Sequence, residues 1–109
     1  LLAGLIAHES AGWKVNARST SGAVGLGQIM PNTLAAAGMT HPDDRLDPVK
    51  SIYGAARVFG TRLKEVGGDI TLALRSYNMG LGGAQRNPGG YPGDSESINY
   101  PGKVYWAAP

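Results

Sequence analysis

The sequence predicts an all-α domain of five to six helices with one Gly/Pro-rich loop and little or no sheet. Three observations carry this. Apolar residues recur three and four positions apart in several segments, the spacing of one helix face. The 17 glycines and 7 prolines of the 109 residues gather between those segments, as helix punctuation does. Valine and isoleucine nowhere alternate with polar residues for long, so strands lack their period-two signature. No internal repeat is visible.

The first helix is expected over residues 1–11, where Leu1, Leu2, Leu5 and Ile6 follow helical spacing and Gly12 stops it. A short second helix is expected over 23–30, stopped by Pro31. Asn32 or Thr33 then caps a further turn over 34–37, closed by Gly38. The clearest helix begins with Asp47 as N-cap and Pro48 at the first helical position. Val49, Ile52, Tyr53, Ala56, Phe59 and Leu63 form its apolar stripe, and Gly67-Gly68 ends it. Asp69 caps the next helix, which runs to about Asn78 with Ile70, Ala73, Leu74 and Tyr77 on one side. Residues 80–93 hold six glycines and two prolines and read as a surface loop. The tail from Asp94 to Trp106 is expected to contain one last short helix around Lys103.

Length allows one domain over residues 1–109, burying about 65% of the surface its unfolded chain exposes. The chain starts at Leu1, with neither Met nor the basic, apolar and small-residue parts of a signal peptide, and so reads as a mature or excised piece. Without cysteine there are no disulfides, thiolate metal sites or cysteine nucleophiles. Charged residues at 17% and apolar ones at 42% describe a globular chain. No apolar run approaches the roughly 20 residues of a membrane span. The net charge is +2, and the bases are scattered rather than gathered in the patch that nucleic-acid binding uses.

One carboxylate stands out. At about 100° per residue, Leu1, Leu2, Leu5 and Ile6 span an arc from roughly 0° to 140°, and Glu9 falls near 80°. Glu9 therefore points with the apolar stripe. Three readings fit: a frayed end reaching solvent, a buried structural carboxylate paired with arginine or backbone N–H groups, or a catalytic acid whose pKa is raised by desolvation. His8-Glu9 begins like the zinc motif H-E-x-x-H, but Gly12 occupies the second ligand's place. The other histidine, His41, precedes Pro42 in a loop, so a zinc site is not indicated. No G-x-S-x-G elbow is present. Gly22, Gly25 and Gly27 lack the strand and Lys-Ser/Thr pair of a phosphate loop. They fit a backbone that approaches a ligand or another helix closely.

The residues around Glu9 carry a resemblance. In order they are His8-Glu9-Ser10-Ala11, then Gly22-Ala23-Val24-Gly25-Leu26-Gly27-Gln28-Ile29-Met30-Pro31, then Ser76-Tyr77-Asn78-Met79-Gly80, then Glu96, Asn99-Tyr100 and Lys103-Val104. Together they resemble the soluble lytic transglycosylase domain of the lysozyme-like superfamily, akin to goose-type lysozyme, over nearly the whole chain. The resemblance implies a lysozyme-like helical lobe with Glu9 as its single catalytic acid/base. It implies substrate contacts from Ser19, Gln28 at the cleft wall, Tyr77 and Asn78 opposite the glutamate, and Glu96 and Tyr100 in the last motif. Three departures are visible: Gly27 stands where the family usually has Met, Met79 replaces a small residue, and Pro101-Gly102 interrupts the last motif. The stretch from Glu9 to Gln28 is also one residue longer than is common in the family.

Each of these residues has a plainer use. Tyr77 fits a core position, Ser19 and Asn78 fit turns, Gln28 a helix surface, and Glu96 a cap with Ser95. Trp13, Tyr91 and Trp106 suit sugar stacking or simple packing. The remaining acids offer Glu9 no partner by spacing, which suits a substrate-assisted route rather than a carboxylate pair. The implied activity is non-hydrolytic cleavage of the MurNAc-GlcNAc bond of peptidoglycan, leaving 1,6-anhydro ends. The expectation is a monomer that needs no cofactor or metal, takes peptidoglycan glycan strands and no nucleic acid, and does not span a membrane. It acts in the periplasm or cell envelope, as a secreted protein, or in a phage particle. The alternatives are a lysozyme-type hydrolase on the same scaffold and a non-catalytic glycan-binding or structural module.

Overall fold

The computed structural model describes residues 1–107, with side chains through Tyr105. The described residues form five α-helices: α1 (Leu2–Glu9), α2 (Pro48–Glu65), α3 (Ile70–Met79), α4 (Leu81–Arg86) and α5 (Ser95–Ala107). Two short 3-10 helices, Pro31–Thr33 and Pro42–Leu46, and two isolated antiparallel bridges complete them. The all-α expectation holds among the described residues. None of the described helices is long and apolar enough to cross a membrane. The chain divides into two compact units, residues 1–58 with the segment from 104 onward, and residues 59–103.

In the first unit, α1 buries Gly4, Leu5 and Ile6. The helix expected over 23–30 is absent. Its apolar residues Ala23, Val24, Leu26 and Ile29 are buried, but on a looped backbone in which Val24 bridges to both Arg18 and Ile29. Gly25 explains why. It sits at φ +84°, and a Cβ there would run into the backbone carbonyl oxygen of Arg45. That close approach needs a glycine and breaks helical geometry at mid-segment. His41, expected in a loop, instead caps the 3-10 helix Pro42–Leu46. Its Nδ1 accepts the Asp43 N–H at 3.0 Å while the Asp44 carboxylate accepts the His41 N–H at 3.2 Å, a reciprocal capping box.

Helix α2 starts as expected, with Asp47 Oδ1 accepting the Lys50 N–H at 3.0 Å and Pro48 in the first turn. Its buried face is not the expected stripe. Val49 and Tyr53 are 61% and 70% exposed, whereas Ser51, Gly54, Ala55 and Val58 are buried. Small side chains let the helix lie close to its neighbours: a Cβ on Gly54 would meet Met39 Cε at 2.8 Å and Ala37 Cβ at 3.2 Å. Closeness of approach, rather than side-chain bulk, decides which face turns inward.

In the second unit, α2 ends with the Gly67 and Gly68 N–H groups bonding Lys64 and Leu63 carbonyls at 3.2 and 2.9 Å. Asp69 Oδ1 then caps α3 through the Leu72 N–H at 3.0 Å. Ala73 and Leu74 are buried on α3, while Ile70 is exposed. The loop expected over 80–93 begins as a helix instead. Its α4 packs on α3, and a Cβ on Gly83 would come within 2.5 Å of the Tyr91 hydroxyl. Here tertiary packing overrides glycine's low helix propensity. Helix α5 is also longer than expected. The Asp94 carboxylate caps it through the Ser97 N–H at 3.2 Å, and it runs on through Pro101, which is buried beside Tyr100.

Candidate active site

Glu9 is the last residue of α1 and is half-buried. The next residue, Ser10, shapes the turn that ends the helix. Ser10 is fully buried; its Oγ donates to the Ile6 carbonyl at 2.6 Å and accepts the Trp13 N–H at 2.9 Å. The Gly12 N–H bonds the Ala7 carbonyl at 2.9 Å. Ala11, Gly12 and Trp13 then take φ values of +53°, +93° and +68°, three left-handed residues in succession. The chain turns sharply away immediately after Glu9, and the buried Ser10 hydroxyl and backbone bonds hold the turn.

The glycine-rich loop of the same unit is tied at several points. Ser19 Oγ accepts the Ala23 N–H at 3.0 Å and lies 3.0 Å from Ser21 Oγ, while the Ser19 N–H bonds the Ala23 carbonyl at 2.9 Å. Gln28 is half-buried at φ +49°, and its Nε2 donates to the carbonyls of Ala17 at 3.1 Å and Gly25 at 3.0 Å. Its amide therefore braces the loop from within. Ser51 Oγ, buried on α2, accepts the Gly27 N–H at 3.2 Å. Arg45 is buried and donates to three backbone carbonyls: Nε to Pro42 at 2.8 Å, Nη1 to Gly22 at 3.1 Å and to Ile29 at 2.9 Å. Its planar fork joins both ends of the loop to the 3-10 helix Pro42–Leu46.

That 3-10 helix carries a carboxyl whose pKa is lowered. Backbone N–H groups of Thr40 and His41, and then the Lys50 ammonium at 3.2 Å, hold the Asp44 carboxyl below its usual 3.8.

The other sequence-predicted residues lie in the second unit. Tyr77 is half-buried and Asn78 exposed on the last turn of α3. Glu96 is exposed and pairs with Lys103, Oε2 to Nζ at 3.1 Å, and the Asp94 carboxylate caps α5. Tyr100 is fully buried, so its ring offers no open face. Of the aromatic residues considered for sugar stacking, Trp13 and Tyr91 are 45% and 40% exposed, and the side chain of Trp106 lies outside the described residues.

Sequence reading missed Arg45, Ser51 and the bracing role of Ser10. Arg45 looked like one of many scattered bases, and no local pattern marks it. Ser51 did leave a signal: Ser51, Gly54, Ala55 and Val58 follow the i, i+3, i+4, i+7 spacing with small residues.

An all-α domain whose first helix ends on a half-buried glutamate, with a cross-tied glycine-rich loop after it, is of the lysozyme-like class. The chain belongs to the transglycosylase SLT domain family, whose family model matches residues 1–100. It is 39% identical over 106 residues to a transglycosylase of Enterobacteria phage PRD1, covering 95% of this chain and 35% of the phage protein. It is 38% identical over 86 residues to membrane-bound lytic murein transglycosylase F 1 of Alkalilimnicola ehrlichii, covering 73% of this chain and 17% of that protein. The corresponding protein of Alteromonas mediterranea is 35% identical over 83 residues, covering 71% of this chain and 17% of its own length. The chain thus spans about a third of the phage relative and about a sixth of the two membrane-bound ones. No solved structure matches it.

Proposed function

We propose that this domain is a peptidoglycan lytic transglycosylase that uses Glu9 as its single acid/base. The observation that carries the reading is Glu9 itself: a half-buried glutamate at the end of α1, followed by a turn that the Ser10 hydroxyl holds, in a chain of the transglycosylase SLT domain family. Protonated Glu9 donates to the glycosidic oxygen between N-acetylmuramic acid and N-acetylglucosamine, and the C1–O bond breaks. The muramoyl N-acetyl carbonyl oxygen stabilises the electron-poor C1. The Glu9 carboxylate then takes the proton of the C6 hydroxyl as O6 bonds C1, which closes the 1,6-anhydro ring and restores the acid. No water is consumed and no second carboxylate is required.

Ser19, Tyr77 and Asn78 hold the sugars in position for this attack. Gln28 spends both amide N–H bonds on the loop and contributes its Oε1 face. Glu96, which pairs with Lys103, and the buried Tyr100 complete the set of residues that the resemblance implies. The domain works as a monomer on the cell wall, from the envelope, outside the cell or within a phage particle, without cofactor or nucleic acid. Mass spectrometry of soluble products from purified peptidoglycan tests this. Anhydromuramoyl ends are expected; reducing ends, heavier by one water, would mean a hydrolase, and no product a binding module.

A further inference from the structure

We propose that Trp13 is a glycan-stacking platform, its indole lying against the apolar face of a hexosamine ring in the strand held at Glu9. This subsite rests on the transglycosylase function proposed for the domain and adds to it. The run Ala11, Gly12, Trp13 is left-handed at every residue, with Trp13 at φ +68°. That region suits glycine, and a bulky aromatic there is strained. Packing uses only part of the ring: Trp13 is 45% exposed and the neighbouring Val15 is 44% exposed. The turn does not account for the strain. Its bonds are backbone and Ser10 bonds: Trp13 N–H to Ser10 Oγ at 2.9 Å, Gly12 N–H to Ala7 at 2.9 Å and Lys14 N–H to Ser10 at 3.2 Å. A glycine at position 13 would satisfy all of them with less strain.

What glycine lacks is the ring. Tying the Trp13 backbone to Ser10, the residue after the acid, presents the indole at a set place relative to the end of α1. A rigid aromatic face with one N–H at its edge matches a sugar ring, whose C–H face is apolar and whose rim is hydroxylated. Val15, Val49, Tyr53 and Tyr105 are also large and exposed in this unit, but none of them takes a left-handed backbone, so none carries such strain.

The test uses Trp13→Gly, Trp13→Phe and wild type, with melting temperature, peptidoglycan kinetics and binding of a β-1,4-linked N-acetylglucosamine hexamer. With only two tryptophans in the chain, Trp106→Phe makes Trp13 the sole reporter for fluorescence. The expectation is that Trp13→Gly melts no lower than wild type, raises KM and weakens hexamer binding about tenfold, about 1.4 kcal/mol, and leaves kcat little changed. Trp13→Phe should restore most of the affinity, and the hexamer should shift Trp13 emission. Unchanged KM and hexamer affinity in Trp13→Gly, with wild type releasing anhydro products, would overturn the inference and leave the proposed function standing. A lower melting temperature with KM unchanged would assign Trp13 to packing and overturn it too. Absence of product from wild type, with tenfold weaker hexamer binding in Trp13→Gly, would overturn the catalytic reading and keep the stacking one.

Discussion

Replacing Arg45 by methionine should destabilise the protein by about 2–4 kcal/mol. Three carbonyls lose a charged donor. The bond to Ile29 is buried, so water does not replace it; the carbonyl keeps the Val24 N–H at 3.2 Å, but losing the charged donor on its other lone pair costs about 1–3 kcal/mol. The bonds to Gly22 and Pro42 are part-buried, where water substitutes, and each is worth about 0.5 kcal/mol. Methionine keeps the apolar contacts of the arginine stem, so packing changes little. At about 2.1 cal/mol/K per residue over the 109 residues, the melting temperature should fall by about 9–17 °C. Arg45→Lys should fall between wild type and Arg45→Met, because one ammonium does not reproduce the guanidinium fork. Thermal unfolding monitored by circular dichroism measures this. A fall of less than about 3 °C in Arg45→Met would refute the bracing role drawn from the three bonds.

Two more substitutions probe the same unit. Gly25→Ala should cost about 3 kcal/mol or more, since its Cβ meets the Arg45 carbonyl and its φ of +84° disfavours alanine; near-wild-type melting would contradict the close approach. Asp44→Asn should destabilise near neutral pH and lose its effect in acid. The Asp44 carboxyl is held below its usual 3.8 in the fold, so its contribution is present above 3.8 and disappears as pH falls through the lower folded value. Unfolding of both proteins across this acid range checks it; a wild-type-to-variant gap independent of pH would show that the charge on Asp44 is not what matters.

Much of this fold was legible where local chemistry acts alone. Asp47-Pro48, Gly67-Gly68 and Asp69 each set a helix boundary through bonds within a few residues, and each does so in the structure. The failures lie where distant backbone decides. Residues 23–30 carry a helix-like run of apolar side chains, yet Gly25 must clear the Arg45 carbonyl, and that contact is twenty positions away in the sequence. Residues 81–86 contain two glycines and read as a loop, but close packing of Gly83 beside Tyr91 makes the missing side chain an advantage to α4. On α2, bulk pointed to Val49 and Tyr53, whereas the face that turns inward is the one thin enough to approach Met39 and Ala37. At the candidate site, the half-burial of Glu9 was legible because its spacing sets it on the apolar arc of α1, while the catalytic role comes from the resemblance. The bracing by Ser10, Ser51 and Arg45 was not, because serine hydroxyls and an arginine fork acquire meaning only when carbonyls from other segments arrive beside them.

Whether Glu9 is the acid is decided by Glu9→Gln. Glutamine keeps the size and much of the hydrogen bonding of the side chain but carries no transferable proton. Wild type and Glu9→Gln should share the same helical circular dichroism and closely similar melting, while release of anhydromuramoyl products from peptidoglycan falls at least about a hundredfold in the variant. Anhydro products released by folded Glu9→Gln at the wild-type rate would contradict the account.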